Sequence, residues 1–175
     1  MFYEPSKGHR LPHDPLKAIV APRPIGWIST LDAAGRANLA PYSFFNMVQT
    51  RPPIVAFGSD GMKHSAANAV ASGEFVANLV TRELFEAMNV TSGALADGES
   101  EFEAAGLERA PCRIVRAPRV AASPASLECR VIHSQELIGV DGVPTGGWLV
   151  VGQVVGVHIA DAALRDGRFD TVAAR

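Results

Sequence analysis

Lys63, His64 and Ser65 stand in succession immediately ahead of "AANAVAS", a stretch with the composition of a short helix. A helix N-terminus carries unpaired backbone N–H groups and a partial positive charge, so side-chain donors placed there describe a seat for a phosphate or another compact anion. The same residues also suit a plain capping serine and a solvated lysine, and position alone does not separate the two readings. Upstream, Ser29 and Thr30 close one apolar run, and Ser43 and Asn46 interrupt the next among Tyr42, Phe44 and Phe45. Hydroxyls and amides beside flat apolar walls are what a planar heterocycle with hydrogen-bonding edges requires. Singly, each is an ordinary strand residue or core aromatic; as a group they describe a mononucleotide held on a sheet.

Other chemistries lack their residues. The chain has no GxGxxG and no GxxxxGK, which removes the dinucleotide fingerprint and the P-loop, and it has neither GxSxG nor HExxH. His9, His13, His64, His133 and His158 show no metal-ligand spacing, and Cys112 and Cys129 form no CxxC pair, so no metal is expected and both thiols read as reduced and structural. Glu99, Glu101 and Glu103 read as the solvated face of a short helix. Sixteen basic against eighteen acidic residues, with no basic run, disfavour nucleic acid as a partner. No segment reads as a membrane span, the N-terminus lacks the apolar core of a signal peptide, and a cytoplasmic location is expected. Hydrophobic residues at 47% against 19% charged leave a mild apolar excess, which hints at a homodimer face.

The elements that must position these residues are mostly strands. Residues 1–21, rich in Pro and His, are expected to form an N-terminal arm, and residues 22–175 a single domain. "IGWIST", the turn "DAAGR" and "ANLAPYSFFNMVQ" predict a β-hairpin, followed by a third strand "IVAFGS". Ser65 is placed as the N-cap of the next helix and Gly73 at its C-terminal stop. "EFVANLV" predicts a strand, "RELFEAMNV" and "ESEFEAAG" short helices, and "ASLECRVIHSQELIGV" a long strand paired through "DGVPTGG" with "GWLVVGQVVGVHI". Short turns between neighbouring strands and no βαβ rhythm give a mainly β fold, an antiparallel barrel with small helices attached.

The run "PRPIGWISTLDAAGRANLAPYSFFNMVQTRPPIVAFGS", then Lys63 and its helix, "SGEFVANLV", "EAMNVTSG", "EFEAAGL", "PRVAASPASLECRV" and "LVVGQVVGVHI" resembles, in order, the flavin reductase-like, FMN-binding split-barrel family, most closely its flavoredoxin-like branch. The resemblance spans Arg10 to Asp170. It implies an FMN-binding split β-barrel, a homodimer with the flavin near the subunit interface, and reduction by NADH or NADPH. Carried over position by position, it implies that Ser29 and Thr30 lie near the phosphate or ribityl chain, that Ser43, Phe44 and Asn46 run along the ring beside Tyr42, and that Lys63 and Ser65 hold the phosphate. Gly147 stands where the family's two-component reductases carry a histidine for the nicotinamide, and relatives commonly run on past the equivalent of Arg175 to a Gly-Gly-Tyr segment. His158 falls where the branch often has a histidine. The expected function is a nicotinamide-dependent flavin oxidoreductase without a catalytic side chain; a non-catalytic FMN electron carrier served by a redox partner protein is the alternative, and an oxidase of the pyridoxamine-phosphate type a third reading.

Overall fold

The structure, a computed structural model, describes residues 1–93, 95 and 99–174. Seven strands form one antiparallel sheet: β1 (Gly26–Leu31), β2 (Ala37–Tyr42), β3 (Phe45–Thr50), β4 (Pro53–Asp60), β5 (Glu74–Asn78), β8 (Ala125–Ile138) and β9 (Pro144–Ile159). Their order is β2-β1-β5-β8-β9-β4-β3. Strands β2 and β3 are consecutive in the chain, yet they occupy opposite ends of that order, separated only by Ser43 and Phe44. Two residues cannot span a flat seven-stranded sheet at about 4.8 Å per strand, so the sheet must curl until its edges meet. Packing at the seam agrees: a Cβ on Gly26 of β1 would lie 2.5 Å from the ring of Phe45 on β3. This is the split barrel that the sequence led us to expect. The single strand expected across "ANLAPYSFFNMVQ" is the exception, because it breaks at this corner into two.

Period-two alternation distributes β1 between two cores. Ile28 joins Val55, Phe57, Phe75, Cys129 and Val150 inside the barrel, whereas Trp27 faces outward to Leu39, Met88, Phe102 and Val120. Both faces are covered, which is why β1 reads as a continuous buried run. Inside, Phe57 and Phe75 meet edge to face with centroids 5.3 Å apart, and Tyr42 packs on Phe57 at 4.8 Å. Gly152 makes that filling possible, since a Cβ there would sit 2.4 Å from the Phe75 ring.

Among the described residues four α-helices decorate the sheet: α1 (Leu16–Ile19), α2 (His64–Ser72), α3 (Phe85–Val90) and α4 (Glu101–Ala104). Gly73, at φ 72°, ends α2 in the left-handed conformation with its N–H on the Ala69 carbonyl, as its position predicted. The other end differs from expectation. Lys63 is the N-cap, in extended backbone, and Ser65 is already inside the helix with its hydroxyl turned to Asn38. Short ladders β6 (Arg109–Ala110) with β7 (Arg119–Val120), and β10 (Leu164–Arg165) with β11 (Arg168–Phe169), were not anticipated. Among the described residues no helix is long and apolar enough to cross a membrane.

Candidate functional site

Helix α2 packs against β1 and β2, which brings its first turn to the polar side chains of those strands. Asn38 at the start of β2 ties the group together: its amide accepts from the Ser65 hydroxyl at 2.7 Å and donates to the Glu101 carboxylate at 3.3 Å. Asn68, one turn into α2, donates to the Thr30 hydroxyl at 3.3 Å. Ser29, Thr30 and Ser65 are all buried, and the Ser29 hydroxyl donates to the Pro118 carbonyl. These three hydroxyls therefore line the layer beneath a surface seat rather than the surface itself.

Lys63 is exposed and makes no capping hydrogen bond with its side chain. The first helical bond runs from the Ala67 N–H to the Lys63 carbonyl, so the amides of the opening turn point out of the helix end. Just upstream, a Cβ on Gly61 would meet nothing within 4 Å, and the approach is open. An ammonium, free amides and open space are the donor set a phosphate requires, and the residues present fit one.

The β2–β3 corner lies further along. From Asn38 to Tyr42 is four strand residues, about 13 Å at about 3.3 Å per residue, so a ligand anchored at α2 must be elongated to reach the ring-like surface there. Phe44 is 52% exposed, with Asn46, Met47 and Val48 exposed beside it, and Ser43 half-buried. Arg23 holds the Lys17 and Val20 carbonyls and stands 5.9 Å over the Phe44 ring. Tyr42 belongs instead to the barrel core, behind this surface. Two clefts, one lined by Arg165 and Arg168 and the other by Arg113 and Arg119, are built from residues other than those of this corner, which on one chain is an open face.

Comparison with known proteins decides the kinship. The model of the flavin reductase like domain matches residues 20–173. The chain belongs to the flavin reductase-like family. An uncharacterised protein of Halalkalibacterium halodurans is 39% identical over 161 residues, covering 89% of this chain and 77% of that protein. Among solved structures, nitrilotriacetate monooxygenase component B from Bacillus cereus superposes with a TM-score of 0.89 at 27% identity, over 99% of this chain and 88% of that one. Flavoredoxin of Desulfovibrio vulgaris (Miyazaki F) shares the fold with a TM-score of 0.74 at 21% identity, over 84% of this chain and 75% of the other.

Within this flavin reductase-like chain, Gly147 pairs with Asp60 across β9 and β4 and carries no side chain toward a ligand. His158 is committed elsewhere. Its Nε2 lies 2.6 Å from Oε1 of Glu128, a carboxylate only 1% exposed. That carboxylate also accepts the backbone N–H groups of Arg113, Ile114 and Val115 at 2.7–2.9 Å. Burial alone would raise the Glu128 pKa, but the three amides and His158 outweigh it and hold the group down to about 2. Glu128 is thus ionised, and His158 must donate its Nε2 proton to it. Cys112 lies within 4.8 Å of both. Burial and the Glu128 charge push the Cys112 thiol up to about 12, so it is no nucleophile at neutral pH.

The sequence reading missed Glu128. The signal was a lone acid in "ASLECRVI", set directly between the apolar Leu127 and Cys129.

Proposed function

We propose that this protein is an FMN-binding oxidoreductase that takes reducing equivalents from NADH or NADPH. The observation that carries this reading is an open helix N-terminus beside Lys63, together with an exposed aromatic and amide surface at the β2–β3 corner, in a chain of the flavin reductase-like family. Lys63 and the opening amides of α2 would hold the phosphate; Ser65 and Thr30 keep that corner in place through Asn38 and Asn68. Phe44 and Asn46 would face the ring with a flat wall and an amide. Ser29 acts more remotely, by fixing the Pro118 segment behind β1. When bound, the flavin supplies hydride acceptance and onward electron transfer, so the chain's own work is binding, orientation and exclusion of water, and no side-chain acid or base is required.

On a single chain the ring would lie on an open face, which supports a homodimer in which a second copy completes the seat. The exposed apolar Phe44, Met47 and Val48 beside it fit such a contact. A cytoplasmic location agrees with a reduced nicotinamide donor.

Titration of the purified protein with FMN and with riboflavin, followed by flavin fluorescence, tests the seat. FMN should bind in the micromolar range or tighter, and Lys63→Ala should weaken FMN at least tenfold while changing riboflavin little. No binding of either flavin by the wild-type chain refutes the reading.

A second reading, an electron carrier fed by a separate redox partner protein, is favoured by one feature: Gly147 supplies no imidazole for a nicotinamide. Anaerobic mixing with NADH and NADPH separates the two. Rapid bleaching of the bound flavin supports the oxidoreductase, and an unchanged spectrum supports the carrier.

A further inference from the structure

Away from the flavin seat, a cleft of about 490 Å³ opens where the Arg113–Arg119 segment crosses the ends of β8 and β9. Arg113 and Arg119 stand in its walls, and the Glu128–His158 pair forms part of its lining. Arg119 is half-buried, and its Nε is enclosed without a hydrogen-bond acceptor. Among the described residues neither Arg113 nor Arg119 has a side-chain partner, whereas nearby Arg116 pairs with Glu74 at 3.1 Å. An enclosed guanidinium donor without an acceptor is a costly arrangement that native proteins rarely leave unmet.

Glu128 cannot meet it. A carboxylate offers about four acceptor positions, and here three backbone amides and His158 occupy them. The same count argues against a cation. Cys112, Glu128 and His158 bring three donor atoms within 4.8 Å of one another, yet a metal would have to strip Glu128 of bonds that pin Arg113–Val115, beside two guanidinium charges that repel it. Gly156 supports the structural role of the pair, since a Cβ there would crowd the Glu128 carboxyl at 3.2 Å. The open chemistry of the cleft is anionic recognition.

The walls narrow the class further. Ile114 contributes an exposed apolar side chain beside Gly156 and the two arginines, and the volume falls in the range of small-molecule sites. Inorganic phosphate would leave that side chain wet. We infer that this cleft binds a small organic carboxylate, its carboxyl group seated on the Arg119 guanidinium with help from Arg113 and its apolar body laid against Ile114. The site is separate from the flavin seat and stands whether or not FMN binds.

Benzoate is a suitable probe, with inorganic phosphate as the comparison, titrated into the full chain without flavin and followed by the NMR signals of the Arg119 Nε–H and of the Ile114 methyl groups. Benzoate should shift both sets of signals with a dissociation constant of about 1 mM or tighter, and phosphate should bind at least several-fold more weakly. Arg119→Gln should weaken benzoate about tenfold and Arg113→Gln by a smaller factor. Should Arg119→Gln fail to fold, Arg113→Gln, at an exposed position, decides alone. Methyl and Nε–H signals that stay put under benzoate overturn the inference, as does benzoate affinity unchanged in the folded arginine variants. Phosphate binding as tight as benzoate overturns the organic class.

Discussion

The layer around Glu128 and the corner at Phe44 treat unmet chemistry in opposite ways. Around Glu128, buried polar groups satisfy one another: the carboxylate takes three amides and an imidazole, and Asn78 in β5 donates to the Trp27 carbonyl and accepts from Val120 N–H and the Ser126 hydroxyl. At the corner, an aromatic ring and two aliphatic side chains face outward beside an exposed asparagine. In the first region, Glu128 and Asn78 are closed bookkeeping, each held by other members of the same chain, and the Arg119 Nε at the rim is the exception. The second is incomplete, and what it lacks has to come from outside. Buried polar residues here mark architecture, and exposed apolar ones mark recognition.

The contrast can be tested at both ends. Glu128→Ala should lower the unfolding free energy by about 3–5 kcal/mol, because it orphans three amides and the His158 donor at once. Urea denaturation followed by circular dichroism reads that loss. Acid sharpens the same point. The Glu128 pKa falls from 4.5 in the unfolded chain to about 2 in the fold, so its stabilisation is complete above about pH 4.5 and is lost as pH drops toward 2. That window carries about 3 kcal/mol, and Glu128→Gln should flatten it. A wild-type acid limb identical to that of Glu128→Gln breaks the architectural half of the comparison.

Asn78→Ala should cost about 2–3 kcal/mol through its four lost contacts, again by urea midpoint. Gly152→Ala drives a methyl into the Phe75 ring and should cost about 1–3 kcal/mol. The smallest stability effect belongs to the corner. Phe44→Ala should change unfolding by no more than about 0.5 kcal/mol while weakening FMN about fivefold. If Phe44→Ala destabilises the chain as much as Asn78→Ala, the corner is core and the distinction dissolves.

Much of the barrel was legible because its residues announce their own geometry. "IGWIST" with "DAAGR" specified β1 and its hairpin, and Gly73 marked the end of α2. The break at Ser43 was not legible, since "PYSFFN" keeps strand character straight through it; only the need to bring two sheet edges together breaks it, and that need is global. Pro41 is tolerated in β2 for the same reason, because β2 ends the strand order. At the site, Lys63 beside α2 was legible from sequence. The burial of Ser29, Thr30 and Ser65 was not, because it depends on Pro118, Asn68 and Asn38, all distant in the chain or on another element. Glu128 owes its role to amides more than ten residues upstream, which no local pattern encodes.

The pairing of β4 with β9 sets a timetable. Val55 finds its partner in Gly152, far along the sequence, and on its other side β4 has only the edge strand β3. A ribosome that has delivered the first half of this protein has therefore released a hairpin with one flank bare, and nothing can close over it until the last long strand emerges. Pairings so remote in sequence make folding slow and hold it back until β9 has been made, leaving that flank exposed in the interval.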